Sequence, residues 1–228
     1  MLGNLRGNQS HQEDNLRWLT GDINHTYFSR EIEVDAVIKR MKDGEIPDNL
    51  YFFTDEPEPE PAASLLASGM FKENMATIGM AHELCDTILP KPDGRVNLFR
   101  VREISQLKVT GAILNAVFAY RMFSFDRFVE MFEGNGQYFY IAEYDGLPVS
   151  AIMTLHGDDF MDLSWAGTLP GYRKLGLAGS LIQMAERDAL LSGKTIGVLR
   201  AYPAIAGSYR RIGYREYCRG IGMELIKA

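Results

Sequence analysis

The sequence predicts an α/β fold, and three features carry that expectation. Two strand-like runs, YFYIAEY (138–144) and PVSAIMTLH (148–156), meet across Asp145-Gly146, a strong signal for a tight hairpin. A long amphipathic helix begins near Ala178 and stops at Gly193. After it, strand and helix signals alternate to the end of the chain.

The other elements follow in order. VNLFRV (96–101) alternates as a strand does, and ISQLKVTGAILNAVFAY (104–120) carries its apolar residues at helical spacing. FDRFVEMF (125–132) reads as a second, shorter helix. Beyond the hairpin, GDD (157–159) turns the chain into FMDLSWAGTL (160–169), which completes a meander of three strands. In the long helix, Leu181, Ile182, Ala185 and Ala189 recur at steps of three and four and form one apolar stripe. TIGVLRAY (195–202) is strand-like, AIAGSYRRIG (204–213) is a short helix ended by glycine, and REYCRGIGMELIK (215–227) is two short strands or one bent strand.

Upstream, VDAVIKRMKDG (34–44) reads as a helix and NLYFFTDE (49–56) as a strand. The acidic DEPEPEP (55–61) reads as a solvated loop leading into a short helix, and LPKPDG (89–94) as a linker. The chain therefore divides near residue 93, into 1–93 and 94–228.

Composition narrows the function classes. With 228 residues, 46% hydrophobic and 24% charged, the chain is an ordinary globular protein. A formal charge of −6 argues against nucleic acid as the main partner, because phosphate-backbone binding leans on a broad basic surface. The opening MLGNLRGNQSHQEDN has no apolar run of the kind a signal peptide needs, and no membrane span is apparent, so a cytoplasmic location is expected. Cys85 and Cys218 lie far apart among apolar neighbours and read as buried, reduced thiols, with no metal knuckle.

The chemistry gathers in TLPGYRKLGLAGSLIQMAERDAL (168–190). Two cations, a glycine and small residues stand where a strand becomes a helix. The first amides of a helix lack internal partners and the macrodipole adds about half a positive charge, so such a start attracts an anion. A nucleoside triphosphate loop is excluded, since Gly171 to Gly176 is followed by Leu177 and Ala178 where Lys and Ser or Thr are required.

Arg173-Lys174-Leu175-Gly176-Leu177-Ala178 follows a strand ending in Thr168-Leu169-Pro170 and opens an amphipathic helix, and YRRIGY (209–214) lies downstream. In these features residues 95 to 228 resemble the GNAT superfamily of acetyltransferases. The resemblance implies a mixed, mostly antiparallel central sheet flanked by helices, and acetyl-coenzyme A as cosubstrate with no metal. It implies a pyrophosphate cradle from Arg173, Lys174, Leu175 and Gly176 to Leu177 and Ala178, with the pantetheine arm along Ala166, Gly167 and Thr168 of the preceding strand. Gly167 would leave room for close approach or mark a bulge.

The resemblance further implies attack by an amine on a thioester. Tyr209 stands at the position that protonates the departing thiolate, and Asp162 where several members carry a catalytic carboxylate. Asp162 reads equally well as the end of the hairpin turn, and Glu143 and His156 on neighbouring strands are alternatives. Tyr202 replaces an asparagine that members often carry. AYRMFSF (119–125) falls where the family shapes its acceptor pocket. The partners expected are an acyl-coenzyme A and a small-molecule or peptide amine, without nucleic acid or membrane, and a homodimer is compatible with the reading. The rival is a non-catalytic acyl-coenzyme A-binding module.

A second resemblance is internal. ASLLASGMFKENMATIGM (63–80) and AGSYRRIGYREYCRGIGM (206–223) share a short helix, a glycine and a terminal Ile-Gly-Met. Residues 1–93 therefore resemble a degenerate half of the same fold. TYFSREIE (26–33) precedes the helix there without a cradle sequence, so no second coenzyme is expected.

Overall fold

The computed structural model describes residues 9–13, 16–20, 25–28, 33–54, 60–85, 94–118, 124–134 and 136–226. The chain falls into two compact units, the first from the described residues of Met1–Gly79, Ala201–Ala206 and Glu216–Ala228, the second from those of Met80–Arg200 and Gly207–Arg215.

The first unit holds β1 (Gln9–Glu13), β2 (Leu16–Thr20), β3 (His25–Phe28), α1 (Val34–Lys42), β4 (Asn49–Thr54), α2 (Glu60–Ala67) and most of β5 (Phe71–Glu83). Strands β1, β2 and β3 are antiparallel neighbours, and β3 meets β4 in parallel at Thr26 and Leu50. Helix α1 buries Val37, Ile38 and Met41, a stripe at helical spacing, and has Asp35 in its first turn and Lys39, Arg40 and Lys42 in its last, the arrangement the helix dipole favours. That stripe joins Leu50, Leu65, Phe71, Met223 and Leu225 in one core.

The second unit holds β6 (Val96–Arg100), α3 (Ile104–Phe118), α4 (Phe125–Glu133), β7 (Gln137–Tyr144), β8 (Leu147–His156), β9 (Phe160–Thr168), α5 (Leu177–Leu191) and β10 (Ile196–Ala201, to Arg200). Strands β6, β7, β8 and β9 run antiparallel in that order and β10 lies parallel to β9, so the sheet is mixed and mostly antiparallel, as expected. At the β7–β8 turn Asp145 and Gly146 have φ of 50° and 77°, the two left-handed residues of a type I′ hairpin. Successive residues of β7 face opposite ways: Phe139 meets Phe128 and Phe132 of α4, while the Tyr140 hydroxyl donates to Asp188 of α5 at 3.1 Å. Helices α4 and α5 thus cover opposite faces of the sheet, and each fully buried Phe, Ile or Leu between them contributes about 1.5–3 kcal/mol.

The chain ends with α6 (Pro203–Arg210) and β11 (Arg215–Leu225). β11 is one continuous strand, which settles the choice left open for 215–227. It pairs antiparallel with β4 from Arg219↔Thr54 to Glu224↔Asn49, so residues from Glu216 onward belong to the first unit. Conversely, β5 enters the second unit at Met80. The compact units therefore cross the sequence boundary drawn at residue 93, because a strand from one side of it completes a ladder on the other.

The thiols need correction. Cys85 is exposed and Cys218 half-buried, because apolar neighbours along the chain do not by themselves enclose a thiol. Residues 55–59 of the acidic stretch, 89–93 of the linker and 119–123 of the expected acceptor region lie outside the described residues.

Candidate active site

The site lies within the second unit, where β9 and β10 part. Their parallel register runs from Phe160↔Ile196 to Leu163↔Leu199 and ends there, although β9 continues to Thr168. A bulge sits at the same place: on β8, Thr154 opposes Leu163 and Met153 opposes Trp165, which leaves Ser164 as the extra residue of β9. A bulge bends its strand and sharpens its twist, which turns Ser164–Thr168 away from β10. The far edge of that segment presents backbone N–H and C=O groups to whatever enters the opening, as any unpaired strand edge does.

The end of β9 is held firmly. Ser150 Oγ donates to Gly167 O at 3.0 Å and lies 2.8 Å from Thr168 Oγ1, while Leu169 N–H donates to Val149 O at 2.9 Å. Gly167 is packed against α3. A Cβ there would lie 3.1 Å from Val117 of α3, so the glycine admits the helix on the sheet face, and the bulge is at Ser164. Ala166 is half-buried, opposite Ile152.

A short 3-10 helix, Pro170–Tyr172, leads from β9 to the cradle. Lys174 and Gly176 both have positive φ, 66° and 76°, and alternate with right-handed or extended neighbours. Such alternation turns successive peptide N–H groups to one side, the concavity that binds anions. The first helical bond of α5 is Ser180 N–H to Gly176 O at 3.0 Å, so the amides of Leu177, Ala178 and Gly179 precede it and have no acceptor within the helix. Arg173 to Gly176 are exposed, and a Cβ on Gly176 would meet nothing within 4 Å, so the amides are open. Arg173 Nε donates to Thr168 O at 3.1 Å, which ties the cradle to the end of β9 and keeps a cation beside it. The residues present fit a pyrophosphate.

The side chains expected to act on the reacting atoms fall into two groups. Asp162 is on the paired part of β9, between Leu155 and Val198 and just before the strands part. Burial raises its pKa, against the lowering effects of Arg200 and of a 3.4 Å hydrogen bond from Ser164 Oγ. Tyr209, in the last turn of α6, is half-buried, and burial raises its pKa. By contrast, Glu143 accepts from Asn97 Nδ2 at 2.9 Å between β7 and β6, two strands from β9, and is engaged there. His156 pairs with Met161 at the opposite end of β9 from the opening and packs against Tyr138, with ring centroids 4.3 Å apart and the rings tilted by 54°. Burial first, then Lys194 and Arg100, lower its pKa to about 4, so it is neutral at pH 7.

Sequence reasoning missed one group. Glu186 of α5 is buried, with Oε1 3.5 Å from Nδ1 of His82 on β5, and it faces the hydroxyl of Tyr214, which is buried as well. The available signal was its place on the apolar stripe of α5, four residues after Ile182. Among the described residues no group of three or more His, Cys, Asp and Glu side chains is placed to hold a metal ion, and no helix is long and apolar enough to cross a membrane.

No family model and no curated sequence matches this chain. Solved structures do. A GCN5-related N-acetyltransferase from Kribbella flavida, 17% identical, aligns over 100% of this chain and 93% of its own with a TM-score of 0.74. One from Sphaerobacter thermophilus, 14% identical, aligns over 96% and 82% with a TM-score of 0.72. A tandem GNAT protein from the clavulanic acid biosynthesis pathway, 15% identical, aligns over 93% and 79% with a TM-score of 0.64. With its mixed sheet, its parting parallel strands and the open helix start between them, the chain has the fold of the GNAT N-acetyltransferases.

Proposed function

We propose that this protein is an acyl-coenzyme A-dependent N-acyltransferase that moves an acetyl group to a small-molecule or peptide amine. The observation that carries the reading is the coincidence, at the end of β9, of an unpaired strand edge and an anion-binding turn with positive φ at Lys174 and Gly176. The fold neighbours named as N-acetyltransferases support it.

Coenzyme A supplies the acyl group as a thioester, activated without any help from the chain. The amides of 173–178 hold its pyrophosphate, and the free edge of 164–168 takes its arm as an added strand. Backbone N–H groups of that edge polarise the acyl carbonyl. Asp162 takes a proton from the incoming ammonium, directly or through water. Its raised pKa brings it nearer the operating pH than an ordinary carboxylate, which favours a general base. The amine nitrogen bonds to the carbonyl carbon, the carbon–sulfur bond breaks, and Tyr209 protonates the sulfur. The second proton shed by the nitrogen passes through water to restore the Tyr209 hydroxyl and Asp162 releases the first to solvent, so ammonium and thioester become amide, thiol and one proton.

We also propose that the first unit is a degenerate half of the same fold. The order α1-β4-α2-β5 matches α5-β10-α6-β11, and each series ends in a strand whose residues extend into the other compact unit. Only the later series has the cradle sequence.

The test is a panel of amine acceptors with acetyl-coenzyme A, following thiol release and identifying products by mass. An N-acetylated product formed in step with free thiol is expected. Tight binding of acetyl-coenzyme A with no product from any amine would favour the non-catalytic binding module instead.

A further inference from the structure

Behind Tyr209 lies a buried polar cluster with no part in the acyl transfer described above. His82, on the stretch of β5 that belongs to the second unit, places Nδ1 3.5 Å from Oε1 of Glu186. That is an ion-pair distance, too long for a well-formed hydrogen bond. The Tyr214 ring lies 5.4 Å from the His82 ring and 6.2 Å from the Tyr209 ring, the latter at 73°, edge to face. Glu186 Oε1, His82 Nδ1 and Tyr214 OH are all buried, and among the described residues none reaches a partner in hydrogen-bond geometry.

Two glycines make room for this arrangement. A Cβ on Gly197 of β10 would lie 2.7 Å from the Tyr214 hydroxyl, and one on Gly213 would lie 2.6 Å from the His82 ring. Clearing two walls for polar groups is a costly design if the cluster serves only packing, because buried polar atoms without partners destabilise.

The link to the site runs through the backbone. The carbonyl of Tyr209 accepts from Ile212 N–H at 3.0 Å and from Tyr214 N–H at 3.2 Å. Tyr214 therefore grips Tyr209 twice, by its peptide N–H and by its ring. Tyr214 is itself 2% exposed, with the His82 ring against it and Glu186 at ion-pair distance from His82.

We infer that Glu186 and Tyr214 are positioning residues: the carboxylate of Glu186, at ion-pair distance from His82, holds the His82 ring against Tyr214, and Tyr214 holds Tyr209 by its peptide N–H and its ring. This rests on the N-acyltransferase reading for its kinetic consequence. The groups facing Tyr214 are Glu186 from α5, His82 from β5, Tyr209 from α6 and Asp162 from β9. Burial, with the Glu186 carboxylate adding to it, pushes the Tyr214 pKa well above the usual tyrosine value and keeps its proton in place.

The test is a double-mutant cycle on the full chain with a second readout that needs no turnover. Glu186→Gln should lower kcat roughly tenfold, in the middle of the range for coupled neighbours, with the KM for acetyl-coenzyme A unchanged. In a Tyr209→Phe background the same change should leave kcat where it is. Tyr214→Phe, which keeps the ring, should behave the same way and serves if Glu186→Gln fails to fold. In tyrosine-labelled protein at neutral pH, either change should move the Tyr209 ring-carbon resonance, assigned by its loss in Tyr209→Phe. An equal fall in kcat in both backgrounds, or an unmoved Tyr209 resonance, would overturn the inference. If the parent acylates no amine, the proposed function fails, and the tyrosine spectra decide this inference alone.

Discussion

Tyr209 and Tyr214 share a backbone hydrogen bond and an edge-to-face contact, yet their surroundings divide the work between them. Tyr214 is sealed against Glu186, while Tyr209 is half-buried and free of any carboxylate among the causes of its raised pKa. Tyr209→Phe keeps the ring, so it should fold normally and bind acetyl-coenzyme A as the parent does, with turnover down roughly 10- to 10³-fold. A lowered unfolding midpoint at unchanged turnover would make the residue structural. Asp162 gives a test with a sign. Burial raises its folded-state pKa above the ordinary 3.8, so the stability it contributes is full below that value and is lost as pH rises through the folded one. Asp162→Asn should therefore gain unfolding midpoint over the parent more at pH 7 than at pH 4, and lose turnover roughly 10²-fold if the carboxylate is the base. Equal gains at both pH values would remove the burial account.

At the scale of elements, the sequence was most legible where local chemistry decides. Asp145-Gly146 demanded positive φ at two successive residues and obtained it. The stripe on α5 and Gly193 at φ 80° set that helix and its end. Strands β1 to β3 went unread because strands of four or five residues carry too little alternation to register. The bulge at Ser164 was equally invisible, since it is a property of the β8–β9 register and not of either sequence. That Gly167 makes room for Val117 was not legible, because a small residue on a strand does not show which neighbour it admits. Glu186 was passed over because a single acid at the margin of an apolar stripe reads as solvated. The cradle offers a prediction at this scale. Gly176 needs φ of 76° while a Cβ would meet open space, so Gly176→Ala should cost about 1–2 kcal/mol of stability and leave acetyl-coenzyme A binding intact. A loss of binding as large as the loss of stability would mean that the space above the glycine is used.

For the molecule as a whole, two compact units that cross the sequence midpoint make stability a shared property of distant segments. Acid should probe it through His156. Its folded-state pKa is depressed from 6.5 to about 4, so the stability that goes with its neutral form is complete above pH 6.5 and is lost as pH falls through about 4. The parent's unfolding midpoint should drop over that interval, and His156→Phe, which cannot take a proton, should flatten the drop. An identical profile in the variant would place the acid sensitivity elsewhere.

The central claim is that one cradle, at the start of α5, binds the coenzyme, and that the first unit binds none. Calorimetric titration of the full chain with acetyl-coenzyme A tests it most directly. The predicted result is one site per chain, abolished by Gly176→Glu, which sets bulk and negative charge among the open amides while a thermal scan shows the variant folded. Ligand at a hundred times its dissociation constant should add about 2.7 kcal/mol to the parent's stability and nothing to the variant's. Two sites per chain, no binding at all, or binding that survives Gly176→Glu in the folded protein would contradict it.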